Sequence, residues 1–358
     1  MIIPALVAIV LPIAFLYLVR WLDLYASGNF KLVLLCFGWG IVAFFLSLVT
    51  NSFIVSHVVQ DFSIVVTIIG PTVEEIYKSL LLIYLVRRSD FTYFVDGAIY
   101  GFAIGIGFAV IENLHYLTSG AEDQSMLVAL TRVFSTSLMH GSATALVGIS
   151  LGRQRFGHGL HRRLASALGW VAAIALHITF NTIVLHQSGL ASMVLLIGIG
   201  LGGLGLVAAF IFWGLSDERR WLRETLNLNV GVSSGESEVV QKMEDLDALL
   251  APITESFGPQ KRKDVESFLR LQAQLGLKVK VQELSTDPKM REELGVQIGT
   301  MREQMDELRR SVGVYCMSYV RMIIPTEVVS MHVRLESMEV KETLSKGSIW
   351  TDRLMKSS

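Results

Sequence analysis

The sequence predicts an all-α polytopic membrane protein, with a bundle of about seven transmembrane helices followed by a mostly helical soluble C-terminal region. The first observation is the distribution of charge. Only ten of the 31 Lys and Arg residues and nine of the 32 Asp and Glu residues lie in the first 215 positions. That density is too low for a water-facing surface. Residues 1–215 are therefore expected to form the membrane domain, and residues 216–358 a cytoplasmic, mainly helical region of unassigned role.

Hydropathy is the second observation and gives seven candidate spans. Each is long enough to cross a hydrocarbon core that needs about 20 apolar residues. The spans lie near 2–19, 32–54, 62–86, 97–117, 127–151, 164–186 and 190–214. The first stretch lacks the basic start and the small-residue cleavage site of a signal peptide, so it is interpreted as a span.

The charges of the loops predict the orientation of the bundle. Loops one, three and five and the segment after the last span contain Lys or Arg, whereas loops two, four and six contain neither. Basic residues favour the cytoplasmic side of a membrane. The N-terminus is therefore expected outside the cell and the C-terminal region in the cytoplasm.

The C-terminal region carries helical patterns but no motif that indicates chemistry. Apolar residues recur at helical spacing in "VVQKMEDLDALLAP", "KDVESFLRLQAQLGL" and "IGTMREQMDELRRSV", and "GVSSGES" at 231–237 is typical of a linker. Residues 312–335 are rich in β-branched and aromatic side chains and fit either a strand or a buried helix. The region contains no nucleotide-binding glycine loop and no zinc-ligand spacing, and no nucleic-acid partner is expected.

Ionisable residues inside the spans mark a candidate site, because charge in a bilayer is costly and is usually kept for function. In "GPTVEEIYKSL", residues 70–80, helical geometry places Lys78 between Glu74 and Glu75 on one polar face. The lysine can neutralise one carboxylate while the other stays available. By residue count, both carboxylates lie at the middle of the third span.

Two histidines lie at a similar depth in other spans. His140 is at the middle of the fifth span, and His177 and Asn181 are near the middle of the sixth. A carboxylate beside a histidine can take a proton from water, and an amide can donate to the oxyanion that forms on an attacked carbonyl. GxSxG and HExxH motifs are absent, so the set favours peptide hydrolysis without a serine or cysteine nucleophile.

The fourth span adds a stripe of small residues that leads to another carboxylate. The stripe consists of Gly97, Gly101, Gly105, Phe108 and Glu112. Small residues at this spacing allow helices to approach closely, so Glu112 is expected to point into the bundle, in the outer half of the site. Arg132, near the outer end of the fifth span, is expected to extend to the membrane interface.

In combination these motifs resemble those of the PrsW-type intramembrane proteases, which are related to the CAAX prenyl endopeptidases and the Abi group. "EEIYK" at 74–78 matches the EExxK motif, and "FAVIEN" at 108–113 matches FxxxE with the following Asn113. His140 and "HITFN" at 177–181 match the two later histidine motifs. The resemblance covers roughly residues 60–190, the core of the membrane domain.

The resemblance implies a glutamate-type peptidase with assigned roles. Glu75 would be the general base that activates water, and Glu74 would assist it. His140 and His177 would polarise the water or stabilise the intermediate, and Asn181 would donate to the oxyanion. Family members cleave membrane-anchored proteins, including an anti-sigma factor in a stress-response cascade. The implied setting is a bacterial or archaeal cell membrane, with a membrane-anchored protein as substrate.

Two alternatives remain open. A zinc-dependent version of the peptidase would use His140, His177 and Glu75 as a His2Glu ligand set. The metal-free version, with no cofactor, is favoured because Lys78 beside the carboxylates would repel a divalent cation. A proton-coupled transporter or membrane sensor would instead use the same residues as a proton relay, but no internal repeat joins two halves of the chain.

Overall fold

The computed structural model describes residues 2–23, 25, 30–59, 61–119, 126–155, 159–226, 240 and 246–322. Within these ranges the regular structure is helical and no strand occurs, which confirms the predicted all-α class. The ambiguous segment 312–335 is helical at Val314–Met322, and its remainder from 323 lies outside the described residues. The predicted linker at 231–237 also lies outside them.

Seven principal helices build the bundle. They are α1 Ile2–Trp21, α2 Phe30–His57, α3 Gly70–Leu85, α4 Phe94–Thr118, α5 Leu138–Gln154, α6 Gly159–His186 and α7 Leu190–Thr225. Short helical pieces lead into two of them. Before α3 come Phe62–Ile64 and a π-helical turn, Val65–Ile69, and before α5 come Met126–Arg132 and a second π-helical turn, Val133–Ser137.

Five of the described helices are long and apolar enough to cross a membrane. They are α1, α2, α4, α7 and the Ala167–His186 part of α6. The other two predicted spans are also helical, but a π-helical turn divides each, and α3 and α5 themselves contain only 16 and 17 residues. The count of seven spans therefore stays a prediction, and these two shorter helices carry Glu74, Glu75, Lys78 and His140 of the candidate site.

Helix α4 is the centre of the bundle and is buried along most of its length. Gly101 and Gly105 lie directly against α5, where an added Cβ would be 2.4 Å from the carbonyl oxygen of Thr144 and 2.2 Å from that of His140. No side chain fits in such a gap. The close approach predicted for the glycine stripe is confirmed, and it brings α4 against the helix that carries His140.

The C-terminal region packs on the extended end of α7. Its helices are α8 Leu246–Phe257, α9 Pro259–Leu284, α10 Pro288–Val312 and α11 Val314–Met322. Gly276 of α9 meets the side chains of Leu222 and Leu226, and Lys280 pairs with Glu224 at 2.7 Å. Helix α7 thus continues beyond the predicted domain boundary at 215 and provides the surface on which α9 packs.

Candidate active site

The first π-helical turn determines how α3 enters the site. In that turn the Gly70 N–H bonds to the Val65 carbonyl, five residues back. The next donor in this register would be residue 71, but Pro71 has no N–H. The Asn181 side chain supplies the missing donor, because its amide donates to the Val66 carbonyl at 2.9 Å. Helix α6 therefore holds the start of α3 in place, and π-helical turns of this kind often occur at functional sites.

Glu75 is fully buried and has a partner on each oxygen. Its Oε1 lies 2.5 Å from Lys78 Nζ and 2.9 Å from His177 Nδ1. Thr144 of α5 donates its hydroxyl to Oε2 at 3.3 Å. Glu75 therefore connects α3 to both α5 and α6. With both oxygens engaged and a side chain that is 0% exposed, it has little capacity to bind a water molecule.

Lys78 extends the network from Glu75 to His140. Its side chain is also 0% exposed, and Nζ lies 3.0 Å from His140 Nδ1 and 4.5 Å from the centre of the Phe108 ring. A buried ammonium requires a charge partner and hydrogen-bond acceptors. Glu75 is the charge partner, and His140 is a further hydrogen-bond acceptor. The sequence predicted that Lys78 would neutralise a buried carboxylate, and the contact with Glu75 agrees with this.

Glu74 is in a different state from its neighbour. Its side chain is 18% exposed, and Oε2 faces His177 Nε2 at 3.6 Å, which is too long for a hydrogen bond. Among the described residues Glu74 makes no hydrogen bond. Its oxygens are therefore available to a water molecule or an ion, while the other nitrogen of the same histidine is held by Glu75.

A second group of contacts fixes His140. Its Nε2 lies 2.6 Å from Glu112 Oε2, and Arg132 donates to Glu112 Oε1 at 3.2 Å. Arg132 also donates to Asn113 Oδ1 at 2.9 Å, and the Asn113 amide donates to Ser137 Oγ at 2.9 Å. The extension of Arg132 to the interface stays a prediction, and the structure adds two acceptors for its guanidinium, Glu112 and Asn113, with the side chain 18% exposed.

The structure brings together the predicted residues of four helices, α3, α4, α5 and α6. The rings of His140 and His177 lie edge to face, with centroids 4.7 Å apart. Asn181 is one helical turn from His177, and one of its two amide hydrogens is used by Val66. The sequence did not indicate the π-helical turns as such, but a proline directly after Gly70 within a span was a readable signal of an interrupted helix.

One carboxylate and two imidazoles could hold a metal ion. Ligand atoms of Glu74, His140 and His177 all lie within 4.8 Å of one another, and this His2Glu set fits a zinc ion. The contact of Glu75 with Nδ1 of His177 leaves Nε2 directed at Glu74, as a ligand histidine requires. The predicted ligand set of His140, His177 and Glu75 stays a prediction, and the ligand atoms that lie together are those of Glu74, His140 and His177.

Comparisons with known proteins give one family match and one curated relative. The model of a family described as PrsW family intramembrane metalloprotease matches residues 28–215, more than half of the chain. Protease PrsW of Clostridioides difficile (strain 630) is 28% identical over 132 residues, which is 36% of this chain and 56% of the relative. The match spans a little over half of that relative's length. No solved structure matches the chain.

Proposed function

Because this chain belongs to the PrsW family of intramembrane metalloproteases, we propose that it hydrolyses peptide bonds of membrane-anchored proteins inside the bilayer. The proposed centre is formed by Glu74, His140 and His177. The observation that carries the proposal is a carboxylate with available oxygens beside two imidazoles, in the interior of a helical bundle. A water molecule bound there would be next to a proton acceptor.

We assign the role of general base to Glu74. A base must contact the water that it deprotonates. The Glu74 side chain is 18% exposed and has no hydrogen bond among the described residues, whereas that of Glu75 is 0% exposed and fully engaged. Water bound between Glu74 and His177 Nε2 would give its proton to Glu74 as its oxygen attacks the scissile carbonyl. The sequence-based assignment of the base to Glu75 stays untested, and the contacts favour its neighbour.

Glu75 and Lys78 act in this proposal as positioning residues. Glu75 holds His177 through Nδ1 and so directs Nε2 toward Glu74. Lys78 makes the buried Glu75 carboxylate tolerable and reaches His140 at 3.0 Å. Glu74 and Glu75 can have different roles because neighbouring side chains on a helix point about 100° apart.

Oxyanion stabilisation falls to Asn181 on α6, and His140 on α5 positions the His177 ring against which it packs. His140 is fixed by Glu112, which Arg132 holds in turn. Asn181 retains a second amide hydrogen beyond the one given to Val66. Donors fixed in advance at the point where charge develops are among the largest contributions to catalysis.

A zinc ion is the alternative cofactor, and Glu74, His140 and His177 would hold it. When bound, zinc would supply Lewis-acid polarisation of the water or of the scissile carbonyl. We propose the metal-free version because both ring nitrogens of His140 already have partners, Lys78 at 3.0 Å and Glu112 at 2.6 Å. Glu74 and His177 are required in both versions.

The proposed substrate is a membrane-anchored protein with a single span. An anti-sigma factor is the candidate that the family resemblance implies. The proposed location is a prokaryotic cell membrane, with the N-terminus outside and the C-terminal region in the cytoplasm, as the loop charges predict.

The test is a search for cleavage products in the host cell. Wild type, Glu74→Gln and His177→Ala would be expressed at equal levels, and fragments of single-span membrane proteins identified by mass spectrometry. His186→Ala is the matched control, since His186 lies exposed on the same helix and its ring bonds the Thr182 carbonyl and no other group among the described residues. Fragments present with wild type and His186→Ala but absent with both site variants support the proposal. Identical fragments with all four proteins would contradict it.

A further inference from the structure

A polar cavity of about 300 Å³ lies where the C-terminal region meets the membrane bundle. One wall is the end of α3 and the residues that follow it, and a second wall is the end of α5. The connection between α9 and α10 forms the third wall, with Ser285, Thr286 and Met290. The cavity is therefore built from two membrane helices and the soluble region together.

The lining of the cavity divides into an apolar part and a basic part. Ile83, Val86 and Leu151 supply apolar surface from the helices. Arg87 and Arg155 supply two guanidinium groups just beyond the ends of α3 and α5. Apolar surface next to arginine at the end of a transmembrane bundle matches the boundary between acyl chains and headgroups in a phospholipid.

Arg87 is the available cation of this cavity. Its side chain is exposed, and it makes no hydrogen bond or ion pair with the described residues. Its neighbour Arg88 is different, because it pairs with Asp90 at 3.0 Å and donates to the Tyr84 hydroxyl at 3.0 Å. Two adjacent arginines at one membrane boundary therefore differ in whether a strong acceptor is already present.

Arg155 is the anchored cation. It donates to the Phe91 carbonyl, while its other terminal nitrogen lies 2.7 Å from the Met290 sulfur. A guanidinium binds an oxyanion through charge-assisted hydrogen bonds, which are stronger than a bond to a thioether. Burial lowers the pKa of the Arg155 guanidinium to about 10, opposed by the nearby Asp96 carboxylate. The group therefore keeps its charge at neutral pH.

The acidic group of the lining is already engaged. Asp287 caps α10 by accepting the backbone N–H of Lys289 at 3.0 Å. Ser285 and Thr286 contribute two hydroxyls to the same wall. The lining thus contains two arginines and two hydroxyls against one carboxylate, which is already bonded to a helix N-terminus. The cavity therefore favours an anion with several oxygen atoms.

We propose that this cavity binds the headgroup of an anionic phospholipid from the adjacent leaflet, with the phosphate between Arg87 and Arg155. The acyl chains lie along Ile83, Val86 and Leu151. A lipid bound there bridges the α9–α10 connection to α3 and α5, the helices that carry Glu74 and His140. The occupancy of this site therefore contributes to the attachment of the soluble region to the membrane domain.

The test measures lipid binding by the purified full chain in detergent with native mass spectrometry. Phosphatidylglycerol and phosphatidylcholine are titrated into wild type, Arg87→Gln and the matched control Arg88→Gln. The proposal predicts that Arg87→Gln weakens phosphatidylglycerol binding about tenfold, the size expected for a lost charge-assisted bond. Arg88→Gln should change it less than about twofold, as a surface pair does.

A second variant separates a specific site from general attraction to charge. Thr286 is an exposed loop residue, so Thr286→Trp obstructs the cavity without removing a cation. It should weaken phosphatidylglycerol binding to a similar extent. Equal losses in Arg87→Gln and Arg88→Gln, or equal binding of phosphatidylcholine, would overturn the proposal. Displacement of the lipid by millimolar inorganic phosphate would assign the site to free phosphate instead.

Discussion

Glu74 and Glu75 face opposite nitrogens of the same His177 ring. Glu75 Oε1 lies 2.9 Å from Nδ1, and Glu74 Oε2 lies 3.6 Å from Nε2. The nearer carboxylate is buried and fully bonded, whereas the farther one is partly exposed. One imidazole therefore separates a carboxylate that maintains the structure from one that can meet a water molecule.

This difference predicts opposite effects of two similar substitutions on stability. Glu75→Gln leaves the ammonium of Lys78 buried without its carboxylate, and should cost on the order of 3–5 kcal/mol in the free energy of unfolding. Glu74→Gln breaks no hydrogen bond among the described residues and should cost less than about 1 kcal/mol. Thermal unfolding of both proteins in detergent measures the difference. The double variant Glu75→Gln/Lys78→Met removes both charges and should recover most of the lost stability, and failure to recover would contradict the pairing.

Asn181 should have a role in stability that can be separated from catalysis. Asn181→Ala leaves the Val66 carbonyl without its donor and should cost about 1–3 kcal/mol in the free energy of unfolding. Pro71→Ala restores a backbone N–H at residue 71, which in the π-helical pattern would donate to the Val66 carbonyl five residues back. Unfolding temperatures of the single and double variants test this. We expect Pro71→Ala to offset part of the cost of Asn181→Ala, and strictly additive effects would contradict the proposed replacement of the donor.

Arg132 should affect turnover through Glu112 and His140. Arg132→Lys keeps the charge but loses the planar fork that bonds Glu112 and Asn113 at once. We expect about a tenfold lower kcat on a membrane-anchored reporter, with little change in KM. Arg88→Gln, which alters an exposed pair at the other end of the bundle, is the control. Wild-type kcat in Arg132→Lys would show that the contact with Glu112 does not position His140.

The glycines of α4 should tolerate no side chain. Gly105→Ala places a methyl group 2.2 Å from the His140 carbonyl oxygen, so α4 and α5 must move apart. The substitution should lower the free energy of unfolding by about 1–3 kcal/mol. Gly202→Ala on α7 is the matched control, because nothing lies within 4 Å of its added Cβ. Unfolding in detergent compares the two proteins. Equal stability would contradict the packing of α4 against the helix that carries His140.

Chelation distinguishes the two versions of the peptidase. The metal-free version predicts that the purified protein keeps its activity after treatment with 1,10-phenanthroline and contains well below one zinc per chain. Activity and elemental analysis are measured on the same samples. Loss of activity on chelation, with recovery on added zinc but not in His177→Ala, would establish the His2Glu alternative.

The sequence was informative about which residues meet and less so about what each one does. Apolar length and glycine spacing gave the helices and the approach of α4, because these depend on the local pattern. The separate roles proposed for Glu74 and Glu75 depend on which nitrogen of His177 each one reaches, and this is determined by the packing of several helices. The acceptors of Arg132 could not be predicted for the same reason, since Glu112 and Asn113 come from another helix.

The π-helical turns also could not be predicted from the periodicity of apolar residues. A single added residue per turn changes the register but leaves the segment apolar and helical in appearance. Pro71 was the visible sign of the first turn. Nothing comparable marks Val133–Ser137, where the sequence contains no proline or glycine.

Cleavage of a single-span reporter by wild type, Glu74→Gln and His186→Ala in liposomes measures whether Glu74 deprotonates the attacking water. If Glu74 deprotonates the attacking water, Glu74→Gln should lower kcat by a factor of about 10²–10⁴ while its unfolding temperature stays near that of wild type. His186→Ala should keep the wild-type rate. A Glu74→Gln protein that cleaves at the wild-type rate would show that Glu74 is not the general base.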